Sequence, residues 1–423
     1  MSHVRPDNTD DTAAGSEQGE GKKSSFLDLV DQTHAANVLD PDAPAVLTVE
    51  NLRMYFPVRS SGIVRRRVGD VQAVDGISFE VPKGGSLGLV GESGCGKSTT
   101  GRLITRLYKP TGGSMKFGEH DQDLATISDR EMKPLRREVQ MIFQDPYSSL
   151  NPRHTVGTIV GTPLRVHNVV PKNQTLKRVQ ELLEVVGLNP EHYNRYPSEF
   201  SGGQRQRIGI ARALALQPKL MVADEPVSAL DVSIQAQVIN LMQDLQREFD
   251  IAFLFIAHDL AIVRHFCPEV AVMYLGKIVE IGDRESIYAN AHHPYTQALL
   301  SAVPDIKQAT TGERRDRIRL TGDVPSPINP PSGCRFRTRC PLAQEICAKH
   351  EPPLLQIGKR HKVACHFPGR IGQHPTEPIT SRLLGVDHQG SPDPGASPSS
   401  DLTDQPGYSD TWFDLDKKSF GRA

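Results

Sequence analysis

The segment from Leu87 to Tyr108 constrains this chain more than any other. Leu87–Val90 is a short apolar run with the character of a buried strand. It leads into Gly91, Glu92, Ser93, Gly94, Cys95, Gly96, Lys97, Ser98 and Thr99, and then into the helical pattern TGRLITRLY. Strand, glycine-rich loop and helix in that order make a phosphate-binding loop. Gly91, Gly94 and Gly96 let the backbone curl until its amide N–H groups point inward at phosphate oxygens. The helix that follows adds the positive end of its dipole. Lys97 can reach β- and γ-phosphates, and the Ser98 hydroxyl can ligate Mg²⁺.

A second strand, Leu220–Ala223, ends in Asp224 and Glu225. A buried strand that delivers two carboxylates at its C-terminal end places them beside the phosphate loop, where α/β sheets bind ligands. Asp224 is then the Mg²⁺ partner, and Glu225 is free to polarise an attacking water as general base. Between the two strands lie Ser201, Gly202, Gly203 and Gln204, followed by the long apolar-periodic pattern RQRIGIARALALQ. Ser201 is a natural N-cap, and the glycines leave the first amides of that helix unshielded. One nucleotide loop is already present, so this second anion-facing helix end points to the nucleotide of another subunit.

Apolar clusters of strand length alternate with longer helical patterns from Val46 onward, which predicts an α/β domain with a largely parallel sheet. The chain carries 49 basic and 50 acidic residues. That balance argues against a dedicated nucleic-acid binder. The longest apolar run, Ile251–Ala257, is seven residues, against the roughly 20 that a membrane-spanning helix needs. Residues 1–40 hold eight acids and three bases with no apolar core after Lys22 and Lys23. They do not read as a secretory signal, so a cytoplasmic location is expected. Residues 1–44 and 369–423, rich in Asp, Gly, Ser and Pro, read as disordered tails. Ser25–Val30 and Trp412 stand out within them as short docking candidates. The insertion Arg59–Gly69, with Arg65, Arg66 and Arg67, reads as a solvated hairpin loop.

The set Gly91–Thr99, Gln144 in IFQDP, Ser201–Gln204, Asp224-Glu225, Asp231 in SALD and His258 in FIAHD resembles the ATPase subunit of ABC transporters, over about residues 46–285. The resemblance implies a P-loop ATPase core with a helical subdomain, working as a head-to-tail dimer. ATP would be sandwiched between one subunit's phosphate loop and the other's Ser201–Gln204 segment. It further implies that Gln144 senses the nucleotide, joins Ser98 and Asp224 around Mg²⁺, and couples to a membrane subunit. Asp231 would belong to a loop crossing the dimer interface, and His258 would contact the γ-phosphate. Phe56 would face the adenine, with Tyr55 as the alternative, since stacking needs only an aromatic face. Phe200 departs from the leucine usual before the serine. The phosphate contacts come from its successors.

The flanks narrow the resemblance. HHPYTQALLSAVP at 292–304, GCRFRTRCPLAQEICAKHEPPL and VACHFP resemble the C-terminal extension of oligopeptide and dipeptide importers, a group whose relatives also carry nickel and some glycosides. The expected organisation is an ATPase domain at 45–285 and a small cysteine-containing extension at 286–368. The expected partners are a second ATPase subunit, identical or not, two transmembrane permeases and an extracytoplasmic solute-binding protein, all assembled at the cytoplasmic face of the membrane. A non-transport ATPase and an exporter are the rival classes. Cys334, Cys340, Cys347 and Cys365 are separated by five, six and seventeen residues, wider than the usual zinc-ribbon spacing. Four thiolates can bind zinc or an iron–sulfur cluster. Reduced, independent thiols are the alternative ahead of zinc, and the resemblance implies a [4Fe–4S] cluster.

Overall fold

A computed structural model describes residues 43–391, apart from 62–65, 121, 146, 304–316, 370–372, 385, 387 and 388. Residues 1–42 and 392–423 lie outside it, and with them the docking candidates Ser25–Val30 and Trp412, most of the expected N-terminal tail and the end of the C-terminal one.

Two sheets organise the fold. The first is antiparallel, with β1 (Ala45–Arg59) between β2 (Arg67–Pro82) and β4 (Gly112–Phe117). The second has eight strands and contains β3 (Ser86–Val90), β5 (Val139–Ile142), β6 (Leu220–Asp224), β7 (Ala252–Ala257), β8 (Glu269–Tyr274), β9 (Lys277–Asp283), β10 (Leu355–Gly358) and β11 (His361–Val363). Its order is β10-β11-β9-β8-β3-β7-β6-β5, parallel from β5 to β8 and antiparallel beyond.

The apolar run that stood out in the sequence is β7, and every residue of it is buried. Its side chains alternate between the two faces of the sheet. Phe253, Phe255 and Ala257 join one core, and Ala252, Leu254 and Ile256 join the other. Burial on both faces is why this strand reads as a continuous apolar run rather than as an alternating one.

The expectation of a largely parallel sheet holds for the half that carries the phosphate loop. The other half turns antiparallel at Leu275 and Gly276, which connect β8 to β9 with φ +43° and +84°. Two consecutive left-handed residues are what a tight hairpin requires. Leu-Gly is a weak sequence signal for such a turn, so the change of direction was not legible.

Helices α1 (Lys97–Ile104) and α2 (Asp129–Leu135) follow, the latter opened by a reciprocal Ser128–Glu131 capping box. A helical subdomain fills the stretch between β5 and β6. It contains α3 (Val156–Val166), α4 (Thr175–Val185) and α5 (Gly202–Leu214). α3 buries Val156, Ile159, Val160 and Leu164, a stripe at helical spacing that packs on its neighbours. α6 (Val232–Phe249), α7 (Leu260–Phe266), α8 (Arg284–Ala289) and α9 (Pro294–Ala302) complete the ATPase core and its exit.

The region after 285 is less separate than its composition suggests. β11 pairs with β9, placing Val363 opposite Glu280, so the extension supplies two strands of the main sheet. Glu280 is fully buried there. It accepts the His292 N–H at 2.7 Å and the His293 N–H at 3.1 Å, and it meets His361 Nε2 at 2.8 Å. Packing also continues beyond residue 369, where a tail was expected. Thr380 and Val386 are buried, and α10 (Ser381–Leu384) lies beside a small core with Cys347, Cys365 and Phe367. No helix among the described residues is long and apolar enough to cross a membrane.

Candidate nucleotide site

The phosphate loop begins where the buried strand β3 ends. Gly94 and Gly96 take φ +80° and +110°, a region that residues with a Cβ rarely occupy. At Gly96 a Cβ would lie 2.1 Å from the Ala73 carbonyl oxygen. The loop therefore curls tightly under β2. Lys97 is buried, and its Nζ donates to the carbonyls of Gly91 at 2.7 Å and Glu92 at 2.9 Å. Its ammonium thus lies across the mouth of the loop. Ser98 Oγ donates to Asp224 Oδ1 at 2.8 Å. This brings together two of the three groups expected to hold Mg²⁺, a cation that prefers hard oxygen ligands. Burial pushes the Asp224 carboxyl up, and the Ser98 hydrogen bond and nearby Arg102 oppose that push. A cation on Asp224 would relieve the same desolvation.

Glu225 leaves β6 with φ +44°, an uncommon conformation for a non-glycine residue. Its N–H still donates to the Ile256 carbonyl at 2.9 Å, so the turn occurs without breaking the link to β7. The turned side chain meets two of the predicted residues. Gln144 Nε2 donates to Glu225 Oε2 at 2.8 Å, and His258 Nδ1 lies 3.3 Å from the same oxygen. Gln144 follows β5 and His258 follows β7, so adjacent strands β5, β6 and β7 deliver the three groups from one sheet end. The side-chain hydrogen bond of Gln144 goes to Glu225, not to the Ser98–Asp224 pair.

Ser201 caps α5 with a reciprocal box. Its Oγ accepts from the Gln204 N–H at 3.4 Å, and Gln204 Oε1 accepts from the Ser201 N–H at 3.0 Å. Ser201 is exposed, and Gly203 packs so closely on Ile234 that a Cβ would lie 2.4 Å from its Cγ2. Asp231 is exposed at the start of α6. Phe56 is half-buried and meets Tyr108 edge-on at 5.5 Å. Tyr55 is committed elsewhere: its hydroxyl donates to Asp75, and burial followed by that hydrogen bond pushes its pKa up to about 12. Of the two aromatics, Phe56 is the one free of a polar tie.

Several residues around the loop were missed by sequence reasoning. Tyr295, buried in α9, accepts the Glu92 N–H at 2.9 Å. Arg339 grips the Glu92 carboxylate with two bonds of 2.8 and 3.2 Å. Arg335 donates to the Leu275 carbonyl, to Gln72 and to Asp75. The only signal for Tyr295 was its place in the HHPYTQALL segment, and the arginines carried none. Glu92, expected among the nucleotide-binding residues, is thus held on its N–H and carboxylate by the extension.

The four extension cysteines are free thiols near one another. The Cys334 N–H donates to the Cys347 carbonyl at 2.8 Å, and the Cys365 thiol feels the other three electrostatically. Burial pushes Cys334 up to about 12 and Cys340 up to about 11, and raises Cys347 and Cys365 as well. Burial outweighs the one opposing cation, Arg337 beside Cys347, and thiols raised this way stay protonated. The donor set suits a soft metal or cluster, but no group of three or more ligating side chains among the described residues is placed to hold a metal ion. The structure thus provides no ready-made site for the expected cluster.

Residues 74–228 match the ABC transporter family, and residues 279–347 match the oligopeptide/dipeptide transporter C-terminal region. The chain is 54% identical over 323 residues to the oligopeptide transport ATP-binding protein AppF of Bacillus subtilis, spanning 76% of this chain and 97% of that one. It is 49% identical over 321 residues to the di/tripeptide transport ATP-binding protein DppF of Pseudomonas aeruginosa, again spanning 76% and 97%. The fold is similar to that of cbiO1 from Clostridium perfringens, part of the ABC transporter complex cbiONQ. The TM-score is 0.50 at 27% identity, covering 58% of this chain and 91% of that one.

Proposed function

From the premise that this chain belongs to the ATP-binding proteins of oligopeptide/dipeptide ABC transporters, we propose that it powers uptake of oligopeptides or dipeptides across the cytoplasmic membrane. It does so as one of two paired cassettes, docked on two permease subunits and supplied by an extracytoplasmic solute-binding protein. The observation that carries the reading is the joining of a complete hydrolytic constellation to the peptide-transporter C-terminal region in one chain.

Each residue has a role in the ATPase reaction. The loop amides and the N-terminus of α1 cradle the phosphates, and Lys97 moves from its carbonyl ligands to the β- and γ-oxygens. Mg²⁺ held by Ser98 and Asp224 would neutralise charge building on the phosphates. Water attacks the γ-phosphorus, its proton passes to Glu225, and ADP leaves. Gln144 and His258 fix the Glu225 carboxylate, so the base is oriented before the water arrives. Ser201, exposed at the start of α5, and the half-buried Gly202, Gly203 and Gln204 that follow it face the γ-phosphate held by the other cassette. Asp231 borders that interface, and Phe56 stacks on adenine.

The [4Fe–4S] cluster rests on narrower grounds, namely four free thiols in the extension, Cys347 and Cys365 buried and Cys334 and Cys340 half-buried, which would have to draw together to ligate it. A brown protein absorbing near ~400 nm supports it. Colourless protein prepared anaerobically, with neither iron nor zinc, assigns the thiols to packing.

The transport reading is tested by affinity capture of the tagged chain from gently solubilised membranes, followed by labelled-peptide uptake in cells lacking the chain. Two co-purifying permeases, and uptake restored by the wild-type chain but not by Glu225→Gln, are expected. Recovery of nucleic-acid machinery, or of no membrane protein at all, overturns it.

A further inference from the structure

We propose that Arg339 is a positioning residue of the nucleotide site, through which the C-terminal extension sets the shape of the phosphate loop. The inference rests on the reading of that loop as the ATP site and goes beyond it by making ATP affinity depend on the extension.

Glu92 is the second residue of the loop, and all three of its polar groups are engaged. Its N–H donates to Tyr295 Oη, its carbonyl accepts from Lys97 Nζ at 2.9 Å, and its carboxylate takes both Arg339 bonds. Two of these partners, Tyr295 and Arg339, come from beyond residue 285, on separate elements, and both converge on this one residue. A fork of two parallel N–H···O bonds fixes orientation as well as distance. Arg339 is itself well fixed. Its side chain is 9% exposed, its N–H donates to the Phe336 carbonyl at 2.9 Å, and its guanidinium lies 5.9 Å from the Tyr274 ring centre.

A second route from the same segment reaches the loop from the other side. Arg335 Nη1 donates to the Leu275 carbonyl at 2.5 Å, and the neighbouring Gly276 N–H donates to the Cys95 carbonyl at 2.8 Å. The Cys334–Cys340 segment therefore bears on both Glu92 and Cys95. Between them lies Gly94, whose φ of +80° belongs to a residue with wide backbone freedom. A loop built on glycines has many conformations to lose when phosphate binds. Holding Glu92 and Cys95 beforehand removes part of that cost, which is pre-organisation. Arg339 touches no reacting atom in this arrangement. Its loss should weaken ATP binding and leave the chemical step nearly intact, raising KM with little change in kcat.

The test is a double-mutant cycle on the full-length chain, with Mg-ATP affinity measured calorimetrically and steady-state hydrolysis measured alongside. Arg339→Gln and Glu92→Gln are each expected to weaken ATP binding about tenfold, and the double variant to be no weaker than either, as coupled neighbours are. Arg339→Lys keeps the charge but not the fork and should recover only part of the affinity. Arg178→Gln breaks a half-buried helical ion pair with Glu181, in the helical subdomain and outside the nucleotide site, and should bind like wild type. Wild-type affinity in Arg339→Gln, or strictly additive losses in the cycle, overturns the proposal. If Arg339→Gln does not fold, the decision passes to Arg339→Lys, and a wild-type KM there overturns it equally. A wild-type chain that binds no ATP would instead defeat the ATP reading of the loop, so the two failures are distinguishable.

Discussion

Glu225 combines an unfavourable backbone with a role that explains it. Its left-handed turn brings one carboxylate oxygen within reach of both Gln144 and His258, and strained conformations of this kind persist where the surroundings over-determine them. Replacing it with glutamine keeps the shape but removes the proton acceptor. Glu225→Gln should therefore lower kcat by roughly 10²–10⁴-fold, with ATP affinity unchanged. Near-normal hydrolysis in that variant would remove Glu225 from the general-base role. Gly96 makes a steric demand instead. Its φ of +110° and the 2.1 Å approach of a Cβ to the Ala73 carbonyl leave no room for a side chain. Gly96→Ala should cost about 1–3 kcal/mol of stability and abolish nucleotide binding, readable as a lower Tm that Mg-ATP no longer raises. These residues were legible in the sequence because each lies in a short string whose chemistry is local. Glu92 was legible only as a loop member, since its partner Arg339 lies 247 positions away.

At the scale of the element, α9 shows how a segment legible only by resemblance acquires a physical reason. His293 is its N-cap, and its Nδ1 accepts the Tyr295 N–H at 3.1 Å. That bond requires a neutral ring. Burial pushes the His293 pKa from 6.5 down to about 4, against the opposing pull of Glu280. An unfolded chain takes up a proton on this residue near 6.5, whereas the folded protein resists until about 4. The stability His293 contributes is complete above 6.5 and lost as pH falls from 6.5 towards 4, up to about 3 kcal/mol. His293→Asn retains a capping side chain without the titration. Chemical denaturation at neutral pH and near pH 5 should show a smaller acid loss in His293→Asn than in wild type. Equal losses would reassign the acid sensitivity to other histidines. Strand β7 is the opposite case, fully legible from an unbroken apolar run. The helix after residue 380 was obscured, because the surrounding Pro, Gly and Ser outweighed the few buried positions, Thr380 and Val386, that tie it down.

At the scale of the whole molecule, the boundary drawn near residue 285 from composition does not coincide with a boundary in the packing. Composition reports where a pattern weakens. It cannot report that Arg335 reaches Asp75 across 260 positions, or that β11 finds β9 at the sheet edge. Glu280 makes the dependence explicit. It sits before the boundary with no exposed side-chain surface, and its His292, His293 and His361 partners all sit after it. Burial by itself would push its carboxyl up, yet His361 and the neighbouring donors hold it below the usual range. Removing residues 286–423 would leave that carboxylate without these partners and would expose the β9 edge. Losing the partners of a buried charge costs about 3–5 kcal/mol, a large fraction of the roughly 5–15 kcal/mol that holds a domain folded. A chain ending at 285 should therefore be insoluble, or should melt without cooperativity, although it retains every residue of the predicted hydrolytic site. Glu280→Gln in that truncated chain should recover part of the loss, because a neutral amide is less costly to leave unpaired. Soluble truncated protein with a cooperative melt and wild-type ATP affinity would show the opposite: a self-sufficient ATPase core with the extension merely attached.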